Sequence, residues 1–175
     1  MNLDEHSPEP SEIVVRAATV ADAQGVLEAH FAAVHSAAAH YPAKFYDDET
    51  LDDWSPIVDE QRVQNFLATW KPDQEVMHVA CLDDFVCGFA SIYVPSSELR
   101  ACYVHPEATG LGVGGRLLSS LEGAARELRL GWLTLDASLN AENFYNAMGY
   151  QSDSIARHLL PTGRHMNCVR MYKFL

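Results

Sequence analysis

The chain has 175 residues, enough for one domain with a sizeable core, and its 48% hydrophobic and 21% charged content is ordinary for a globular protein. Its net charge of −12 excludes a general attraction for nucleic acid or an anionic membrane and favours cationic partners, amines included. No apolar run approaches the roughly 20 residues of a spanning helix. Residues 1–12 are polar and acidic, without the basic and apolar regions of a secretory signal. They read as a disordered tail, residues 13–175 as a single domain, and a cytoplasmic location is the default expectation.

In chain order, residues 13–16 (Ile13-Val14-Val15-Arg16) form a short strand. Thr19 followed by Asp22 resembles a capping box, and Ala23, Leu27, Phe31 and Val34 recur at helical spacing, so a helix is expected to run to about Ala39. Residues 40–56 mix aromatic and acidic side chains without one period, which suits a loop or a short helix. Val63, Phe66, Leu67 and Trp70 mark a further helix ended by Lys71-Pro72. Residues 77–82 and 85–94 read as a hairpin around Asp83-Asp84. That turn sends Cys81 and Cys87 to opposite faces, against a disulfide between them. None of Cys81, Cys87, Cys102 and Cys168 forms a CxxC pair, so buried free thiols are expected. Residues 98–104 are another strand, stopped by His105-Pro106.

A glycine-rich loop at 109–115 then feeds a helix whose expected apolar face is Val113, Leu117, Leu121, Ala124 and Leu128, with Gly131 as its C-cap. Residues 132–137 are strand-like. Residues 140–148 form a short helix capped by Asn140 and stopped at Gly149. Two further strands flank a Pro161-Thr162-Gly163 turn. The order is β-α-α-β-β-β-α-β-α-β-β, an α/β (α+β) arrangement.

Gly110, Gly112, Gly114 and Gly115 stand directly before an amphipathic helix. Glycine permits positive φ and close ligand approach, and the first amides of a helix point outward at its positive end. Together these make an anion site suited to phosphate, and Arg116 adds a full charge nearby. Gly110, Gly112 and Gly115 satisfy GxGxxG, with Asp136 further on, yet a dinucleotide fold does not fit. His105 to Thr109 intervene between strand and glycines, too few residues follow for a doubly wound sheet, and the preceding strands read as a meander.

The run from Leu99 to Pro106, followed by Thr109-x-x-Gly112-x-Gly114, resembles motif A of the Gcn5-related N-acetyltransferases (GNAT), whose core is Q/R-x-x-G-x-G/A. Thr109 departs from the usual Arg or Gln and removes one long donor. Asn140-x-x-x-x-Tyr145-x-x-x-Gly149-Tyr150 resembles motif B. The resemblance spans roughly residues 13–175 and implies the GNAT fold, a mixed, mostly antiparallel central sheet with helices on both faces. It implies acetyl-CoA as cosubstrate and no metal. Cys102, Tyr103 and Val104 would pair with pantetheine. Thr109, Gly110, Leu111, Gly112, Val113, Gly114, Gly115 and Arg116 would hold the pyrophosphate, and Asn140 and Asn143 would contact CoA. Tyr145 matches the tyrosine that protonates the departing thiolate.

Acyl transfer needs a neutral amine, whereas one with a pKa of ~10.4 is under ~0.1% neutral at pH 7. Glu98 matches the place of a catalytic base, and six residues along one unbroken strand put Glu98 and Val104 on one face. The Val104 amide is the expected oxyanion donor. His78 and Asp136 are further pocket candidates. His105 belongs to a His-Pro step that is usual in the family without catalytic duty. His30, His35 and His40 are spaced so that each turns ~140° from the last, away from a shared metal. Residues 41–54 either build an acceptor pocket for a cationic amine or form a solvated connection. The leading expectation is direct N-acetyl transfer to a small-molecule or peptide amine. A non-catalytic CoA-binding module is the alternative, and homodimerisation stays open.

Overall fold

The computed structural model describes residues 12–37 and 41–175. Residues 1–11 of the expected tail, Ala39 as the expected end of the first helix, and His40 lie outside them. Strand β1 (Ile13–Ala17) leads through Thr19 to helix α1 (Ala23–His35). The Thr19 amide donates to the Asp22 carboxylate at 2.7 Å, as the capping-box pattern anticipates. Arg16 adds two bonds to the same carboxylate at 2.8 Å, and its guanidinium holds the Asp22 carboxyl down at about 2. Helix α1 ends at His35, short of the expected boundary, and Ser36 is already extended. His35 Nε2 there meets the Ser55 carbonyl at 2.8 Å. Residues 41–56 realise the short-helix alternative as α2 (Asp48–Trp54), N-capped by Asp47, which accepts from the Thr50 amide at 2.8 Å. Helix α3 (Glu60–Thr69) is capped in the same way by Asp59.

Strands β2 (Glu75–Leu82) and β3 (Phe85–Tyr93) form the expected hairpin, with Asp83 supplying the positive φ of its two-residue turn. Strand β4 (Glu98–Val104) matches its expected bounds. Two bulges interrupt these ladders. Ala80 pairs with Gly88 and Cys81 with Val86, so Cys87 is an extra residue in β3, its thiol donating to the Ala80 carbonyl. Ser91 pairs with Ala101 and Ile92 with Leu99, so Arg100 is an extra residue in β4. The four cysteines are free thiols, and Cys81, Cys87 and Cys168 are buried.

The Arg100 bulge corrects the Glu98–Val104 parity. Leu99, Cys102 and Val104 pack on one face of the sheet, while Ala101 and Tyr103 pack on the other. Alternation therefore slips by one at Arg100 and sets Glu98 on the face opposite Val104.

The remaining elements are α4 (Val113–Glu127), β5 (Trp132–Ser138), α5 (Glu142–Ala147), β6 (Gln151–Leu159) and β7 (His165–Phe174). The sheet order is β1-β2-β3-β4-β5-β7-β6, antiparallel except where β4 meets β5. Helix α4 covers one face through Val113, Leu117, Leu118, Leu121 and Ala125 against Leu133 and Leu135. Helix α1 covers the other through Val26 and Ala29 against Val79 and Phe89. The apolar stripe of α4 thus ends at Ala125, and Leu128 is half-exposed.

Gly131 does not cap this helix. Arg129 takes the left-handed position (φ 59°), the Leu130 amide donates to the Ala125 carbonyl and the Arg129 amide to that of Arg126. This is a Schellman closure with a non-glycine residue at its strained position. Nor does Asn140 cap α5, whose N-cap is Ala141 without a side-chain bond. Helix α5 is held instead by Lys173 of β7, which donates to both oxygens of buried Glu122 and to the Met148 carbonyl, each at 2.8 Å.

Two predictions follow from these anchors. Arg129→Gly relieves the left-handed strain and raises stability by about 1 kcal/mol, read as a melting temperature about 2–4 °C higher. Lys173→Met leaves the buried Glu122 carboxylate with only the longer 3.6 Å contact to Arg126 and lowers stability by about 2–3 kcal/mol in urea unfolding.

Candidate active site

After the single pair Glu98–Thr134, β4 and β5 part. The edge of β4 that faces β5 is therefore unpaired from Leu99 to Val104, while its other edge stays bonded to β3. A cleft of about 380 Å³ fills the opening, within the range of small-molecule sites. Its walls are residues 99–104 of β4, residues 135–138 of β5, and Asn140, Asn143, Phe144 and Tyr145 at α5.

At one end lie Thr109 and the first turn of α4. Gly110 (φ 81°) and Gly112 (φ 73°) occupy the left-handed region, which steers the chain into the helix. The first bond of the helix runs from the Arg116 amide to the Gly112 carbonyl, so the preceding amides have no intrahelical acceptor. Gly114 serves a different need: a Cβ there would stand 3.2 Å from Phe144 and 3.6 Å from Val104, filling the groove between α4 and α5. Gly114 lines the cleft, whereas Gly112 and Gly115 line a shallow hollow with Arg116. Arg116 donates to the Ile13 carbonyl at 3.1 Å. Its charge is thus anchored on β1 rather than free at the loop.

Of the residues singled out from the sequence, Cys102, Tyr103, Val104, Thr109, Gly114, Asn140, Asn143 and Tyr145 converge on the cleft. Gly110, Leu111, Val113 and Gly115 shape the loop behind it. Tyr145 is buried, edge-on to Phe144 and Tyr150, and burial keeps its phenol protonated well above the ordinary tyrosine range. Burial also pushes the Cys102 thiol up to about 12, far from a nucleophilic thiolate. Glu98 does not line the cleft. It pairs with Arg100 at 3.4 Å, and Arg100 is the residue that reaches the wall, stacked over Tyr93.

His78 is bound to Ser120 of α4, and His105 accepts from the Glu107 amide and packs against Phe85. Asp136 does line the cleft. Arg170 grips its carboxylate at 2.9 and 3.2 Å, and His158 Nδ1 stands 3.4 Å from it. Among the described residues no group of three or more His, Cys, Asp or Glu is arranged to hold a metal, and no described helix is long and apolar enough to cross a membrane.

Sequence reasoning did not single out Tyr41, Pro42, Ser138, His158 or Met166 individually as wall residues. Tyr41 and Trp54, from the aromatic acidic stretch, close the mouth on the α1 side. The Tyr41 hydroxyl lies 2.6 Å from Thr109 Oγ1 and donates to the Val104 carbonyl at 3.2 Å. Trp54 donates to the Tyr103 hydroxyl at 3.0 Å. Tyr46 stands behind them, bonded to the Asn167 carbonyl and the Leu139 amide. Beneath Tyr103 lies His30, with ring centroids 4.4 Å apart, within bonding distance of Ser55 and Arg62.

Residues 42–158 match the family model of the acetyltransferase (GNAT) domain, and the chain belongs to that family. The GCN5-related N-acetyltransferase from Rhodopseudomonas palustris is 26% identical, with a TM-score of 0.79 over 95% of this chain and 98% of that one. Two others share the fold. The ribosomal-protein-alanine N-acetyltransferase from Brucella melitensis has 24% identity and a TM-score of 0.66 over 93% and 99% of the two chains. The putative acetyltransferase yncA from Salmonella typhimurium, solved with acetyl-CoA, has 23% identity and a TM-score of 0.64 over 93% and 94%. No curated protein matches the sequence.

His30 gives a pH test of the cleft's support. Burial, with the Arg62 charge adding, lowers its pKa from 6.5 to about 3, so the native ring is neutral. The unfolded chain binds a proton there that the native chain does not. This contribution to stability is complete above pH 6.5 and declines as pH falls towards 3, by up to about 1.4 kcal/mol per pH unit. His30→Gln is expected to flatten that slope in urea titrations, and the His30 ring resonance is expected to stay unshifted down to about pH 5.

Proposed function

We propose that the chain transfers an acetyl group from acetyl-CoA directly to a primary amine within a ternary complex. The observation that carries this reading is the meeting, in one cleft, of the unpaired β4 edge, the first turn of α4 and protonated Tyr145. The groove kept open by Gly114 fits a slender pantetheine arm between β4 and β5, beside the backbone groups of Cys102 and Val104 that turn away from β3, with Tyr103 between them bonded to β3. The free amides of α4 suit the pyrophosphate, Thr109 and Tyr41 flank it, and Asn140 and Asn143 line the side towards α5.

In this reading the amine nitrogen forms the C–N bond as the thioester C–S bond breaks. The Val104 amide stabilises the carbonyl oxygen, and Tyr145 gives its proton to the leaving sulfur. Glu98 acts on the cleft through Arg100. The raised pKa of Cys102 supports direct transfer over a covalent acyl-cysteine. Trp54 and Tyr41 at the mouth, in a chain of net charge −12, favour a cationic acceptor. The name of the Brucella neighbour, an alanine N-acetyltransferase, supports including an alanine-initiated peptide among the acceptors. The specific observation on the side of a non-catalytic CoA-binding module is Thr109, whose hydroxyl is already engaged by Tyr41.

Thiol release from acetyl-CoA with spermidine, an alanine-initiated peptide and a lysine peptide separates the two. Turnover with at least one amine is expected, with Tyr145→Phe lowering kcat by about 10–100-fold while calorimetric acetyl-CoA affinity holds. Acetyl-CoA binding without turnover on any amine would favour the module. Binding of NAD and not acetyl-CoA would overturn both.

A further inference from the structure

Among the titratable side chains of the described cleft wall, most are unsuited to take a proton from an amine. Half-buried Tyr103 and buried Tyr145 are held protonated, the Cys102 thiol is pushed up to about 12, and Arg100 is a cation. Asp136 has both oxygens gripped by Arg170 across the β5–β7 ladder. His158 is the imidazole of that wall. It sits on β6, opposite Met166, and its ring reaches across buried Cys168 of β7 to Asp136 of β5. Its side chain is 47% exposed, so it touches solvent as well as the cleft.

The bonding order fixes the ring's chemistry. Both oxygens of Asp136 accept from Arg170, and a carboxylate oxygen facing the ring accepts, so the facing Nδ1 of His158 is assigned as the N–H donor. That leaves Nε2 as the basic nitrogen of the neutral ring. A base oriented by a carboxylate that is itself clamped is the general logic of hydrogen-bonded catalytic pairs. Asp136, Arg170 and Cys168 lie on the α1 face of the sheet, opposite the helix α4 that carries the glycine loop. The pair therefore stands on the side from which an acceptor can enter without crossing the groove beside α4.

We propose that His158, oriented by Asp136, is the catalytic base that deprotonates the incoming amine. The proposal rests on the acetyl-transfer reading above. Nε2 takes one proton from the protonated amine and passes it to solvent. The neutral nitrogen then forms the C–N bond as the C–S bond breaks, the sulfur takes the phenolic proton of Tyr145, and the second proton shed by nitrogen restores the tyrosine. Asp136 is a positioning residue, because it acts through the ring. The charged and titratable groups on this side include Asp136 from β5, Arg170 with Glu98 beside it, Cys168 from β7, Tyr103 of β4, Tyr41 and Tyr46 before α2, and Arg164 of the β6–β7 turn with its partners Glu49 and Asp53 in α2.

Two experiments test it, one without turnover. In the free protein, long-range ¹H–¹⁵N spectra are expected to show neutral His158 as the Nδ1–H tautomer, shifting to a mixture in Asp136→Asn. With spermidine, an alanine-initiated peptide and a lysine peptide as probes, His158→Ala is expected to lower kcat near pH 7 by about 100-fold. Its acetyl-CoA affinity and melting temperature should stay near wild type, imidazole should restore part of the rate, and the deficit should shrink as pH rises and the amine ionises unaided. An Nε2–H tautomer, or wild-type kcat in His158→Ala at every pH, overturns the proposal and leaves acetyl transfer standing. Absence of wild-type turnover on all three amines overturns the parent reading, and this one falls with it.

Discussion

The parting of β4 from β5 is the constraint on which the rest of the site depends. A continuous sheet would satisfy every backbone group of β4 and leave no room for a ligand. Here the two strands share one registered pair, Glu98–Thr134, and the extra residue Arg100 bends β4 just beyond it. The neighbouring strands do not follow, because β3 holds β4 on one side and β7 holds β5 on the other. The opening is thus a wedge with rigid walls, and its backbone groups stay accessible because the cleft replaces a ladder. A site built this way is set by strand geometry rather than by loops.

The electrostatics of the cleft follow from the same frame. A chain of net charge −12 is a poor receptor for a polyanion if charge is counted over the whole surface. The first turn of α4 answers locally, with oriented amides that need no cationic side chain, and Arg116 is committed to β1. The opposite end carries fixed acid–base character. Tyr145 is kept protonated by burial, and both oxygens of Asp136 accept from Arg170. The acidic surface that repels anions elsewhere suits an amine approaching from the α1 side. Lys173 links these parts mechanically, since it binds Glu122 of α4 and the end of α5 together from β7.

Much of this was legible in the sequence because it is local. The glycine loop precedes a helix whose apolar spacing shows its buried face, and the β4 bounds and the β2–β3 turn are marked by His105-Pro106 and Asp83-Asp84. The two GNAT motifs lie on the elements they imply. What was not legible depends on partners distant in the chain. The Arg100 bulge exists only in register with β3, and nothing in the run from Glu98 to Val104 marks it, so the parity placed on Glu98 fails. His158 joins the site because β6 folds back along β7 and its ring crosses that strand. Arg129 takes a left-handed cap that composition would assign to Gly131 two residues later. The aromatic stretch gave no period because Tyr41 and Trp54 face the cleft from different elements, while Tyr46 supports the wall from behind.

The most direct measurement is hydrogen–deuterium exchange of the intact chain with and without acetyl-CoA. The account predicts slowed exchange confined to the free edge of β4 over residues 102–104 and the first turn of α4 over residues 112–115. The β1–β2 pair and the far end of β6 should be unchanged. Unaltered exchange in those two segments, or protection centred on another surface, would contradict the assignment of the β4–β5 wedge as the acetyl-CoA site.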